Sequence, residues 1–569
     1  MKSLFLPLSL GAVLPAGFVA AYDDVVQEPL RNAIDPTKYR AACPDYKQYS
    51  MRSHLPYSEG PLELPFQRPS KYCRTFESPL VETVIQNMNN NMVDKDLARI
   101  FENAFPNTLD TTVRWHVDNT PQHKHGSRSW EKGAWTGPQS FIVTGDINAE
   151  WLRDSTNQLQ QYQPLAKKDK EIFKLILGAI NTQAEYVIGS PYCNAFQPPA
   201  PSNLNPTFQD QADAVHPEYE ASFVFECKYE LDSLAHFLSL ANQFHRHTGS
   251  TAFINARWLQ ALDTVLSVLD EQSQPTFDEK TGTYHKNAYT FQRRTDIGTE
   301  TLALGGVGNP LASGTGLVRS AFRPSDDATI LGFLIPSNAM MSVELQRTAD
   351  ILHKAGKKNI AEQLSAWSEK IKKGVWEHGV VTHKKYGRVF AFEVDGYGSA
   401  IMMDDANLPS LLALPLLGFI KADSEVYKNT RRMILERQGN PYYLSGAGFA
   451  GIGGPHIGLQ HAWPMSVLMQ AMTSDDDAEI LQLLESVKNV SRNGLIHESI
   501  HVDFQRDYTS KYSMSTLQMC ADSRRTLVCM GELCLRADHP RSREAEATSP
   551  LWRGRRSVCT GLEARGRSA

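Results

Sequence analysis

After its N-terminus this chain has no run of about eighteen apolar residues, the minimum for a membrane-spanning helix, so no later segment is expected to cross a bilayer. It has no basic excess either. Its 58 Lys and Arg face 63 Asp and Glu, a formal net charge of −5, which argues against the basic stripe of a nucleic-acid-binding protein. Cysteine is scarce, 8 in 569 residues, and none stands in a CxxC pair or at zinc-type spacing. Helix and strand patterns do not alternate as βαβ units, which argues against a Rossmann sheet or a TIM barrel. The acidic loops miss the EF-hand spacing, and the Gly-Tyr-Gly at 396–398 is too short to cradle nucleotide phosphates.

What is present begins with MKSLFLPLSLGAVLPAGFVAAY: one lysine, an apolar stretch over 4–19, then small residues. This reads as a secretory signal peptide over residues 1–21, cleaved after Ala21. The mature chain is then expected in the lumen of the secretory pathway (Golgi) or outside the cell, with no membrane association after cleavage. Disulfides form in that compartment. Cys43, Cys73, Cys193 and Cys227 read as two bridges or as buried thiols, with the connectivity open, and Asn489-Val490-Ser491 is a glycosylation sequon. Residues 22–78, rich in Pro, Tyr and charge, are expected to wrap the surface of a main domain over 79–511. Residues 512–569 hold ten Arg, no Lys and four of the cysteines, and read as a disordered tail or as the product of a mis-joined exon or shifted frame.

From residue 79 apolar residues recur at helical spacing. Candidate helices fall in the stretch from PLVETVIQNM to IFENAF and in KEIFKLILGAINTQAEYVIG, KYELDSLAHFLSLANQFHRHTG and TAFINARWLQALDTVLSVLDEQ. Others cover 337–353, 358–376, 408–419, 424–436, 459–472 and 475–490. TTVRWHV and SFIVTGDI are minor β excursions. About eleven helices, close to six antiparallel pairs, predict an all-α chain folded as an (α/α)6 toroid, whose long loops build one funnel. The atypical tail lacks a recognisable last helix.

Five stretches carry candidate chemistry. In FRPSDDA, Asp326 and Asp327 sit beside the almost uncharged ATILGFLIP, where desolvation can raise a carboxyl pKa for acid catalysis; the blander alternative is a solvated acidic pair. In TGDINAEWLRDS, Trp151, Arg153 and Asp154 suit a polyhydroxylated ligand, a ring to stack and a fork and carboxylate for hydroxyls, or else form a helix-capping ion pair. Glu393, Asp395, Asp404 and Asp405 punctuate AFEVDGYGSAIMMDDANLPS and could line a substrate or cap helices. His456, His461 and Trp463 in GIGGPHIGLQHAWPMS are too few for a zinc site. HESIH, with His497, Glu498 and His501, has the spacing of a zincin but lacks the third ligand of the HExxHxxGxxH pattern; a zinc metallopeptidase is therefore a rival reading.

Taken in order, TGDINAEWLRDS, KYELDSL, FRPSDDA, EVDGYG, MDDANLPSLL, GIGGPH, WPMS and HES resemble glycoside hydrolase family 125, the exo-acting α-mannosidases of terminal α-1,6-linked mannose, over roughly residues 78–508. The resemblance implies an (α/α)6 barrel, inversion at the anomeric carbon, no metal and no other cofactor, and a mannose-containing oligosaccharide or glycan as partner. It places the general acid in RPSDD, at Asp326 with Asp327 as the alternative, and the general base at Glu498. An inverting pair stands ~6.5–9.5 Å apart to admit a water. Arg153, Asp154 and Asp395 would hold mannose hydroxyls, and Trp151 or Trp463 would stack on a ring. Asp327, Glu393, Asp405 and His456 complete the substrate-binding candidates. Past HES the family closes its barrel with an aromatic-rich helix, where this chain reads SKYSMSTLQMCADSRR. A carbohydrate-binding protein without catalysis is the rival outside enzymes.

Overall fold

The structure is a computed structural model that describes residues 43–120, 134–145, 147–209 and 211–509. The expected signal peptide, residues 22–42 and the 512–569 tail with its four cysteines lie outside the described residues. Within them the chain is mostly helical, with eleven helices of nine residues or more. No described helix is long and apolar enough to cross a membrane.

The helices fall into two kinds. Leu152–Gln160, Leu231–Thr248, Ile335–Lys354 and Pro464–Met472 are buried around most of their circumference. Ala256–Gln272, Lys358–His378 and Asp477–Val490 bury one stripe and expose the rest, as amphipathic surface helices do. Leu231–Thr248 packs between Leu152–Gln160 and Ile335–Lys354, and Ile335–Lys354 packs on Lys358–His378. Asp477–Val490 lies against both Pro464–Met472 and Lys95–Ala104, so the two ends of the described chain touch.

Local chemistry sets most boundaries. The periodic stretch from Pro79 divides into Pro79–Asn91 and Lys95–Ala104, because Asp94 caps the second helix by accepting the Asp96 and Leu97 N–H groups. Pro464 and Pro336 stand in the first turns of their helices, where a missing N–H is harmless. That start removes 459–463 from the helix expected over 459–472. The helix expected over 408–419 shrinks to Leu414–Leu417, since the preceding segment folds around the Asp404 carboxyl group, whose oxygens accept the Leu411 and Leu412 N–H groups at 2.8 and 3.0 Å.

Strands are short. Val113–Val117 and Gln139–Ile142, both within the β-prone sequence, form an antiparallel pair. Three further small sheets each deliver the chain into a buried helix: Glu150–Trp151 before Leu152, Phe333–Leu334 before Ile335 and His461–Ala462 before Pro464. Cys43 is bonded to Cys73 and Cys193 to Cys227, which settles the open pairing. Leu64, Gln67 and Arg68 are buried, so part of the expected surface wrap belongs to the core.

Candidate active site

The acid-rich end of the molecule is built where those sheets hand over to helices. Glu150–Trp151 pairs with Ala195–Phe196, which pairs in turn with Val224–Glu226. Arg153 and Asp154 therefore lie in the first turn of one buried helix, with Glu230 and Asp232 at the start of the next. Arg153 Nη1 donates to Glu230 Oε2 at 2.6 Å, while Nη2 stands 3.4 Å from Asp154 and Asp232 lies 3.7 Å away. One guanidinium thus serves three buried carboxylates. Burial raises Glu230 well above the usual carboxylate range, more than Arg153 offsets, and raises Asp232 to about 6. Trp151 packs edge-on against Phe225, and its indole N–H has no hydrogen-bond partner among the described residues.

Asp326 is presented to this cluster by a tight turn. Phe322 pairs with Ala328, the Arg323 N–H donates to the Asp327 carbonyl at 2.8 Å, and the Asp326 N–H donates to the Arg323 carbonyl at 3.0 Å. The loop between is Pro324, Ser325 and Asp326, and its third residue takes a φ of +67°. Three-residue hairpin loops place a left-handed residue there, and glycine is the usual choice. An aspartate is there instead, and its side chain remains 24% exposed while Asp327 is buried. Asn194 Nδ2 donates to Asp326 Oδ1 at 3.3 Å and to Glu230 Oε1 at 3.2 Å, and Lys228 Nζ stands 3.8 Å from Asp326.

The carboxylates around the turn do not share their protons as the sequence suggests. The desolvation expected of this acidic pair acts on the two members differently. Burial does push Asp326 up, but Lys228, Arg153, His456 and a hydrogen bond with Glu230 outweigh it, and the carboxyl falls below its ordinary value. Asp327 is the one raised, to about 6, by burial and by the charge of Asp405. Ser325 Oγ donates to Asp405 Oδ2 at 2.7 Å and to Asp327 Oδ2 at 3.2 Å, holding these two carboxylates together.

Other sequence candidates support the turn rather than face it. Glu393 is fully buried. It accepts from Arg323 Nε at 2.6 Å and from the Ile330 and Leu331 N–H groups at 3.0 and 2.9 Å, so it anchors both sides of the Asp-Asp turn. Asp395 accepts the Tyr397 and Ser399 N–H groups at 2.8 and 3.0 Å and shapes its own Gly-rich loop.

His456 is exposed, and its charge acts on both Asp326 and Asp327. Its loop packs against the Asp405 segment: the Ala406 N–H donates to the Gly453 carbonyl, and Gly454 lies so near Asp405 that a Cβ there would stand 3.3 Å from its carboxylate. Five residues after His456, His461–Ala462 pairs with Ser499–His501, so that Trp463 follows and Glu498 precedes the paired residues at the same end of the ladder. Thr509 Oγ1 donates to Glu498 Oε2 at 3.2 Å, and the His497 ring stacks on Tyr508 at 3.6 Å.

The HESIH motif runs into a strand. Its histidines have separate neighbours: His497 has Tyr508, while His501 packs against His461 and accepts the Asp503 N–H at Nδ1. A zincin needs both imidazoles on one helical face, about a turn apart, and here Ser499–His501 is a strand instead of a helix. That geometry removes the peptidase alternative. Sequence reasoning passed over Asn194, Lys228 and Glu230. The last two lie in KYELDSL, whose charges just before a helical pattern were the available signal; Asn194, behind a cysteine in a Pro-rich loop, offered none.

The family profile described as metal-independent alpha-mannosidase (GH125) matches residues 94–518. The meiotically up-regulated gene 157 protein of Schizosaccharomyces pombe is 53% identical over 469 residues, covering 82% of this chain and 89% of that protein. A metal-independent α-mannosidase of Streptococcus pneumoniae, solved in a non-productive complex with α-1,6-mannobiose, is 30% identical with a TM-score of 0.68, covering 80% of this chain and 99% of that one.

Proposed function

Because the chain belongs to the metal-independent α-mannosidases of family GH125, we propose that it is an inverting exo-α-1,6-mannosidase with Asp326 as general acid and Glu498 as general base. The observation that carries the choice of Asp326 is its left-handed backbone, a conformation that costs of order 1–3 kcal/mol and is retained where geometry matters to chemistry. The α-1,6 preference is supported by the ligand in the Streptococcus pneumoniae complex.

In this mechanism Asp326 and Glu230 hold one proton between them. In the resting site it lies on Glu230, and Lys228 compensates the charge of Asp326. With the sugar bound it passes to Asp326, leaving Glu230 as a carboxylate on Arg153. Asp326 then protonates the glycosidic oxygen as the bond to the anomeric carbon breaks. On the opposite face Glu498 removes a proton from the attacking water, giving β-mannose and a free hydroxyl on the leaving group. Asp154 and the ring of Trp463 would contact the sugar.

The exo mode, the (α/α)6 toroid and a secretory-pathway location belong to the same reading. Layers of buried and one-face-buried helices support the toroid, and the two disulfides support an oxidising compartment. The test is hydrolysis of α-1,6-mannobiose followed by NMR. Initial β-mannose is expected. Initial α-mannose would rule out inversion, and absence of release alongside intact mannobiose binding would favour a sugar-binding protein.

A further inference from the structure

Two residues that touch Asp326 are each the next residue after a half-cystine. Asn194 follows Cys193 and Lys228 follows Cys227, and the two cysteines are bonded. Asn194 is fully buried and uses every part of its side chain. Nδ2 bridges Asp326 and Glu230, and Oδ1 accepts the Lys228 N–H at 3.0 Å. Its own carbonyl accepts the Leu152 N–H at 3.1 Å, at the start of the helix that carries Arg153. Lys228 Nζ is held 3.1 Å from Glu226 and 3.8 Å from Asp326.

Besides the disulfide, these two segments are joined by the Asn194–Lys228 hydrogen bond, by the edge-on contact of Tyr192 with Tyr229 at 5.2 Å, and by a short ladder. The strands that join them are two and three residues long, and their pairing is irregular between Ala195 and Phe196. So short a ladder is easily displaced, and a shift of about 1 Å in a catalytic array can cost roughly 100-fold in rate.

We propose that the Cys193–Cys227 disulfide is a positioning clamp for the general acid: it sets Asn194 and Lys228 at a fixed distance on either side of Asp326 and so keeps the Asp326–Glu230 pair in register. This deepens the mannosidase reading and rests on it. The groups facing Asp326 are Arg153, Lys228, Glu230, Asp232 and His456, with Asp327 as its chain neighbour. Of these the clamp governs Lys228 directly and Glu230 through Asn194. The Cys43–Cys73 bridge closes a loop of similar size, with a sequence separation of 30 against 34, and lies beside Arg74, Asp110 and His116. It is the natural control.

The experiment compares full-length wild type, Cys193→Ser/Cys227→Ser and Cys43→Ser/Cys73→Ser on α-1,6-mannobiose across pH, with melting temperatures measured in the same buffers. The expected result is a fall in kcat of about 10- to 100-fold and a displaced pH profile for the first double variant, with KM changed by no more than about twofold. The second should lose comparable thermal stability and keep the wild-type kcat and profile. Superimposable pH profiles, or equal kcat in the two double variants, would overturn the clamp. If Cys193→Ser/Cys227→Ser fails to fold, Cys43→Ser/Cys73→Ser treated with dithiothreitol below its melting temperature, where Cys193–Cys227 is the described bridge left to break, carries the same comparison against its untreated form. If wild type releases no mannose, the mannosidase reading fails separately, and the clamp is judged by the pH dependence of melting. A curve altered in shape only by loss of Cys193–Cys227 supports it, and parallel curves refute it.

Discussion

Asp326 pays for its position twice, in backbone conformation and in burial, and the two costs separate under mutation. Asp326→Asn and Asp326→Gly should each lower kcat by about 10²–10⁴-fold, the usual range for a lost general acid. The glycine variant should melt no lower than the asparagine variant, because glycine is at ease at positive φ; a lower melting temperature would mean that the turn is unstrained. Glu498→Gln should lower kcat over the same range, with mannobiose affinity retained in calorimetry. Asp404 gives a pH signature independent of activity. Burial pushes it from 3.8 to about 8, so between those values the folded chain keeps a proton that the unfolded chain has lost. Its contribution is greatest at low pH and disappears as pH rises through that window. Asp404→Asn cannot ionise, so its melting temperature should decline less from about pH 4 to about pH 8 than that of wild type. Parallel curves would show that Asp404 does not titrate there. At this scale the carboxylates were legible because an acidic pair beside an apolar run is conspicuous. Asn194 was not, since its importance lies in what it bridges across 132 residues of sequence.

Helices were legible as elements because a 3.6-residue apolar period persists over several turns, and their ends followed caps and prolines. The strands that orient Arg153, Glu230 and Trp463 were not, since two or three residues cannot display a period of two. One helix start can be tested directly. Asp94 caps Lys95–Ala104 and also accepts from Lys488 Nζ at 2.7 Å, linking that helix to Asp477–Val490. Asp94→Ala should cost about 1–2 kcal/mol in urea unfolding through the lost cap. Lys488→Met should cost less, about 0–1 kcal/mol, the scale of an ion pair with a partly exposed partner. If the lysine substitution proved the more damaging, the connection between the helices, not the cap, would be what Asp94 supplies. Neither should change kcat, because neither residue touches the carboxylate network.

At the scale of the whole molecule, the proposed base depends on a part of the chain some 400 residues away from it. Asn103, fully buried, accepts the Gln67 N–H at 2.8 Å and donates to the carbonyls of Pro65 and Gly494 at 3.0 and 2.9 Å. Gln67 Nε2 donates to the Asn493 carbonyl at 2.9 Å. The turn 493–494 is therefore clasped by the N-terminal part of the domain, and Glu498 follows it by four residues. Gly494 has a φ of +78° and no room for a Cβ, which would fall 2.6 Å from the Pro65 carbonyl and 2.8 Å from Asn103. No local pattern could have revealed this contact, because Asn103 stands at the end of a helix, its partners lie in loops far apart in sequence, and only closure of the fold brings them together. Asn103→Ala leaves a buried N–H and two carbonyls without their partner, at a cost of about 2–4 kcal/mol. It should also lower kcat by about tenfold or more by loosening the segment that carries Glu498, even in assays well below its melting temperature. Asp94→Ala, on the same helix but away from the clasp, is the matched control, destabilised yet fully active. Equal kcat in the two variants would mean that Glu498 is positioned by its strand partners alone.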